Sequence, residues 1–252
     1  DVDNLDIEIV GEGADIIPKD KNNAVYRAIC AVFDKCGFKP KGISIKLENH
    51  IPIARGLGSS AAALVGGVMA ANSIVENPLS MDELLMIATK FEGHPDNVAP
   101  ALLGGIVTSV YTTDRIIYKK IKPPKNLKLV VVIPDFTLST KIAREALPQS
   151  VPLNDAVFNI GHASLLILSL IESDYTLLGQ AMQDCIHQPY RLPLVPGMDK
   201  VFEAALDAGA VSVALSGAGP TLIAFCENNN EDIGKAMQKA FLENNIHSQF
   251  KM

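Results

Sequence analysis

The chain has 252 residues, 48% of them hydrophobic and 20% charged, with no tryptophan; that is the composition of a globular protein and excludes a disordered one. Lys and Arg number 22 against 28 Asp and Glu, a formal charge of −6, and without a basic cluster interleaved with aromatics no nucleic-acid partner is expected. The apolar run LLILSLI at 165–171 is too short to span a bilayer and the acidic start DVDNLDIEIV is no signal peptide, so no membrane partner is expected and the cytoplasm is the expected compartment.

Along the chain, Leu5, Ile7 and Ile9 alternate with polar residues before GEGAD, a strand entering a turn. The chain starts inside that strand without a Met, which suggests a natural start further upstream. In residues 21–36, Val25, Ile29, Val32 and Phe33 share a helical face, with Gly37 as a stop signal; ISIKLEN at 43–49 is a half-buried strand. SSAAALVGGVMAANSIV at 59–75 has helical composition, and Gly66-Gly67 suggests close packing on another element before Pro78 ends the segment. Ser80-Met81-Asp82-Glu83 is a capping-box pattern opening a helix that delivers Glu92 at its end.

The Pro/Lys stretch KKIKPPKN at 119–126 predicts a domain boundary, giving domains of 1–125 and 126–252, and LKLVVVIPDF beyond it is a strand covered on both faces. Then follow a short helix in STKIAREALP, helices across 154–172 and near 174–186, and a Pro-rich turn QPYRLPLVPG. A helix at 198–208, strands VSVAL and TLIAF flanking SGAGP, and a final helix near 231–243 complete the order. Strands and helices mix without strict βαβ alternation, so the fold class is α+β. Cys30, Cys36, Cys185 and Cys226 show no C-x-x-C spacing and read as reduced and mostly buried; His50, His162, His187 and His247 have no metal-ligand spacing.

The most biased stretch is RGLGSSAAAL, Arg55–Leu64. A glycine turn leading into a small-residue packing helix would account for it structurally. Gly56-x-Gly58-x-x-Ala61 fits a loose dinucleotide fingerprint, but Pro52 interrupts the approach, and the acid about twenty residues on, Glu76, follows no second strand. The lysine of a Walker A loop is absent. What remains is a glycine loop opening a helix, whose unpaired N–H groups and positive dipole end bind phosphate. Ser59 and Ser60 add hydroxyls for phosphate or magnesium.

PIARGLGSSAA, Pro52–Ala62, resembles the phosphate loop of the GHMP kinases, and SGAGPT, Ser216–Thr221, is similar to that superfamily's late glycine turn. Within it, EGHPDNVAPALLGG at 92–105, STKIAREALP and PYRLPLVPG resemble the homoserine kinases. The resemblance implies a two-domain GHMP kinase fold, the N-terminal ATP-binding domain like the second domain of ribosomal protein S5 and the C-terminal domain ferredoxin-like. It implies transfer from ATP, with Mg2+, to the hydroxyl of L-homoserine, and a homodimer. The family's first motif, P-A-T-[ST]-A-N-L-G-P-G-F-D, is missing from this sequence, and the end at QFKM is expected to fall short of the last strand.

Carried onto this sequence, the resemblance assigns Pro52, Ile53, Ala54, Arg55, Gly56, Leu57, Gly58, Ser59, Ser60, Ala61 and Ala62, with Gly217 and Gly219, to the nucleotide. Ser60 and Glu92 hold the metal, where a solvated helix-end acid is the plainer reading of Glu92. His94, Asn97, Arg144 and Arg191 take the amino acid, arginine's planar fork being suited to its carboxylate; ordinary surface charges or a turn cap are the plainer readings. Asp96 shapes its turn or serves as a base. Two other functions stay open: another small-alcohol kinase of the mevalonate or sugar type, and a metabolite sensor on the same fold without catalysis.

Overall fold

The protein is described from a computed structural model, which covers residues 4–252. It divides into two compact units, the first made of residues up to Ile53 with Gly58–Lys122, the second of Ala54–Leu57 with Pro123–Met252.

In the first unit β1 (Asn4–Gly11) and β2 (Gly42–Asn49) pair in parallel, joined through α1 (Ala24–Lys35). The register sets Leu5 beside Ile43, Ile7 beside Ile45 and Ile9 beside Leu47, so the apolar alternation of both strands lies on one face. Ile7, Ile9 and Ile45 are buried with Val25, Ile29 and Phe33 of α1. That helix begins at Ala24 rather than at 21, because buried Asn23 caps it: its Oδ1 accepts from the N–H groups of Val25 (2.9 Å) and Tyr26 (3.2 Å). α2 (Ser59–Ile74) packs on α1. A Cβ on Gly67 would come within 3.1 Å of the Val25 carbonyl oxygen, so this glycine sets the close approach expected of the pair, whereas nothing lies within 4 Å of a Cβ on Gly66.

α3 (Met81–Glu92) starts with the expected capping box: Ser80 Oγ accepts from Glu83 N–H (3.3 Å) and Glu83 Oε2 accepts from Ser80 N–H (2.9 Å). The Ser80 N–H bond, with help from Lys35 and the Ser80 hydroxyl, brings the Glu83 carboxyl down to about 2. Three elements here lie outside the sequence expectations: α4 (Pro95–Leu103) and the antiparallel pair β3 (Ile106–Tyr111) and β4 (Ile116–Ile121).

The second unit holds β5 (Lys128–Pro134), α5 (Thr140–Glu145), α6 (Leu153–Glu172), α7 (Tyr175–Ala181), α8 (Gln188–Arg191) and a 3-10 turn at Leu192–Leu194. α9 (Met198–Asp207), β6 (Ser212–Leu215), β7 (Leu222–Cys226), α10 (Asn230–Glu243) and β8 (Ser248–Lys251) complete it. The sheet runs β6-β7-β5-β8, every pair antiparallel. With a helical excursion between β5 and β6 and α10 between β7 and β8, this is the split βαβ arrangement of a ferredoxin-like domain. Val130, Val132, Leu222 and Ala224 of the sheet share a core with Met198 and Val201 of α9 and Ile233, Met237 and Phe241 of α10.

Three expectations change in this unit. The segment near 174–186 is helical only to Ala181, and the Pro-rich stretch begins with a helical turn, Gln188–Arg191, rather than irregular chain. At the end of the given sequence, Ser248–Lys251 pairs with β5 as an edge strand. Finally, LLILSLI lies inside α6, whose 20 residues have a mean hydropathy of 1.3 in their most apolar window and are long and apolar enough to cross a membrane. Inside the same helix, Asn159 Nδ2 donates to Asp184 at 2.7 Å and His162 stacks on Phe158. The four cysteines are free thiols, Cys226 buried and the others half-buried.

Candidate active site

The residues singled out from the sequence fall in both units and are described unit by unit. In the first, α2 opens at Gly58, which sits at φ +72° and gives the helix no side-chain cap. The first intrahelical bond runs from Ala62 N–H to the Gly58 carbonyl, so the N–H groups of Ser59, Ser60 and Ala61 precede the ladder and are open to an acceptor. A Cβ on Gly58 would meet nothing within 4 Å. An open, uncapped helix start at a left-handed glycine is a cradle for phosphate oxygens, with the positive end of the dipole behind it.

Beside that start, Ser60 Oγ donates to Glu92 Oε2 at 2.8 Å. Glu92 is the last residue of α3, and Gly93, at φ +90°, turns the chain into α4. Ser59 Oγ accepts from Asn49 Nδ2 (3.4 Å), whose same amide nitrogen also donates to the carbonyls of Glu12 and Ile51; Asn49 thus ties the end of β2 to the helix start, a role that nothing local in ENHIP signals. Among the described residues no cluster of three His, Cys, Asp or Glu side chains could hold a metal. The Ser60 hydroxyl beside the Glu92 carboxylate is a pair of hard oxygen donors, and it suits a hard cation that keeps several waters.

His94, half-buried, bonds through Nδ1 to Asp96 and precedes the first residue of α4, Pro95. Asn97 is exposed on the first turn of that helix, while Pro52 and Ile53 are half-buried and Ala61 belongs to the core.

The other half of the glycine stretch belongs to the second unit, where the Arg55 guanidinium and the carbonyls of Ala54, Arg55 and Gly56 are engaged. The Arg55 guanidinium donates to the carbonyls of Pro134, Asp135 and Phe136 at the end of β5. The Ala54 carbonyl accepts from Leu138 N–H (3.1 Å), the Arg55 carbonyl from Thr221 N–H (3.2 Å) and the Gly56 carbonyl from Ser216 Oγ (2.8 Å). A Cβ on Gly56, itself at φ +76°, would collide with the Ser216 carbonyl oxygen and come within 2.9 Å of Gly219 N. Gly56 is thus bare so that the 216–219 turn can lie against it, and Gly217 and Gly219, both at positive φ, give that turn its shape.

Arg191 is buried, 9% exposed. Its Nε donates to the Ala143 carbonyl and its Nη1 to the Gly217 carbonyl, both at 3.1 Å. Burial lowers its pKa, Asp184 raises it and Arg144 lowers it again. The plainer reading of Arg191 as a surface charge therefore gives way; Arg144, on α5 one residue beyond Ala143, is exposed. Two of the five N–H donors of Arg191 are committed to backbone, which fixes the plane of the guanidinium and leaves three for a ligand among the described residues.

Residues 23–105 match the family described as GHMP kinases N terminal domain, and residues 166–243 match GHMP kinases C terminal. Curated relatives named homoserine kinase, from Moorella thermoacetica and Carboxydothermus hydrogenoformans, are 49% and 47% identical over 246 and 245 residues. These alignments span 98% and 97% of this chain and 83% and 80% of theirs. The chain belongs to the GHMP kinases, in their homoserine kinase group. The crystal structure of homoserine kinase from Cytophaga hutchinsonii superimposes with a TM-score of 0.90 at 36% identity, covering 99% of this chain and 82% of that one. The L. major mevalonate kinase complexed with R-mevalonate has a TM-score of 0.70 at 18% identity, a likeness of fold alone. The two-domain GHMP kinase fold expected from the sequence holds, as does ATP as this kinase family's phosphoryl donor.

Proposed function

We propose that this GHMP kinase transfers the γ-phosphoryl group of ATP to the side-chain hydroxyl of L-homoserine, giving ADP and O-phospho-L-homoserine. The hydroxyl oxygen bonds to the γ-phosphorus as the bond to the β,γ-bridging oxygen breaks, and the hydroxyl proton is lost. Such a reaction asks the protein for position and charge more than for covalent chemistry. The observation that carries the reading is the Ser60–Glu92 pair, 2.8 Å apart, at the uncapped start of α2.

The N–H groups of Ser59, Ser60 and Ala61 take phosphate oxygens, with Gly58 leaving them room. Ser60 and Glu92 would hold Mg2+, which when bound would neutralise phosphate charge. Arg191, with Arg144 on the neighbouring helix, takes the amino-acid carboxylate, and His94 and Asn97 orient the rest of the substrate. An amino acid and ATP as substrates place the reaction in the cytoplasm, and a second copy of the chain is the partner we expect. The presence of both Ser60 and Glu92 favours catalysis over a sensor on the same fold.

A substrate screen on the full-length protein tests this. ADP release should depend on both L-homoserine and magnesium; equal turnover of mevalonate or galactose with none of homoserine would sink the reading.

A further inference from the structure

Arg191 sits at the end of α8, a helix of four residues with a proline at its second position. One turn of helix has no stability of its own, so whatever aims Arg191 must come from outside it. Asp184, just before that turn, collects the donors around it. Its Oδ1 accepts from Asn159 Nδ2 (2.7 Å), Ile186 N–H (3.0 Å) and His187 N–H (3.2 Å), and its Oδ2 from His187 N–H (3.0 Å) and Gln188 N–H (2.5 Å). Asn159 in turn accepts from Cys185 N–H (2.9 Å), and Gln188 Oε1 accepts from Leu215 N–H (2.8 Å) at the edge of the 216–219 turn.

We propose that Asp184 is the positioning residue for Arg191, fixing the 185–188 segment so that the guanidinium lies between the Ala143 and Gly217 carbonyls with its remaining donors presented to a carboxylate. The proposal rests on the reading of Arg191 as the partner of the substrate carboxylate. Only an ionised carboxylate serves all these donors, because both of its oxygens accept; an amide in the same place turns an NH2 toward either the Asn159 side or the Gln188 side. Burial pushes the Asp184 carboxyl up, and the bonds from Gln188 N–H, the Asn159 amide, Ile186 N–H and His187 N–H outweigh it and hold it below the ordinary value. The same segment touches the glycine turn twice, through Gln188 to Leu215 and through Arg191 to Gly217.

Steady-state kinetics of Asp184→Ala, Asp184→Asn and Asp184→Glu tests this, with L-homoserine and with 3-amino-1-propanol, which keeps the hydroxyl and amine but lacks the carboxylate. Asp184→Ala should raise the KM for L-homoserine about tenfold with a much smaller change in kcat and none in the KM for ATP. The preference for L-homoserine over the amino alcohol should shrink with it, Asp184→Asn should be intermediate and Asp184→Glu should recover part of the loss. In an Arg191→Ala background, Asp184→Ala should change kcat/KM by less than about twofold, since it acts through that residue. If Asp184→Ala fails to fold, the Asn variant decides by the same ratio. Equal losses for both alcohols, or an unchanged KM for L-homoserine, would overturn the positioning role. A wild-type enzyme with no preference for the carboxylate would overturn the reading of Arg191 and this proposal together.

Discussion

The two glycines of Gly56-Leu57-Gly58 have the same backbone twist, φ +76° and +72°, and opposite surroundings. Around Gly56 the Ser216 carbonyl and Gly219 fill the place of a side chain; around Gly58 a Cβ would meet nothing within 4 Å. Composition alone treats them as one phosphate loop. The structure separates a residue that is bare so that protein can pack on it from a residue that is bare and left open, and only the second lies at the helix start where ligand N–H donors gather.

The largest effect should come from the open half. Glu92→Gln keeps a partner for the Ser60 hydroxyl but removes the charge, and kcat should fall by about a hundredfold or more in magnesium with thermal stability unchanged. A loss under tenfold would break the link between the open helix start and catalysis.

Gly56→Ala and Gly58→Ala sharpen the contrast directly. At 56 the methyl adds a clash with backbone to the left-handed penalty, and the loss of stability should be about 2–4 kcal/mol in chemical unfolding. At 58 only the backbone penalty of about 1–2 kcal/mol applies, and the greater effect should be a raised KM for ATP. Equal destabilisation by the two variants would show that the surroundings do not distinguish them. Smaller still, Ser216→Ala removes the hydroxyl bonded to the Gly56 carbonyl and should cost about 1 kcal/mol, read as a lowered unfolding midpoint.

What the sequence showed plainly were elements with local signatures: the capping box of α3, the alternation of β2, and the long phosphate motif. What it concealed depends on distant partners. PDNVAPALL carries prolines at its first helical position and within the helix, at Pro95 and Pro100, which read as breaks although the first needs no N–H there. SQFK is a strand because β5 offers it an open edge, not because its four residues favour one. Among the candidate site residues, Glu92 and Arg191 were legible by motif, yet Arg191 is held by the carbonyls of Ala143 and Gly217, and Asp184 draws a donor from Asn159, 25 residues away. No window of periodicity reaches that far.

Arg55 carries a further meaning. Its guanidinium, bonded to three successive carbonyls, and the packed glycine beside it tie the first half of the motif to the architecture of its own unit. A chain could lose phosphoryl transfer and still need that half unaltered in order to fold. Finding R-G-L-G in a new sequence therefore certifies a scaffold, and whether the scaffold still works as an enzyme has to be decided at the positions matching Ser60 and Glu92.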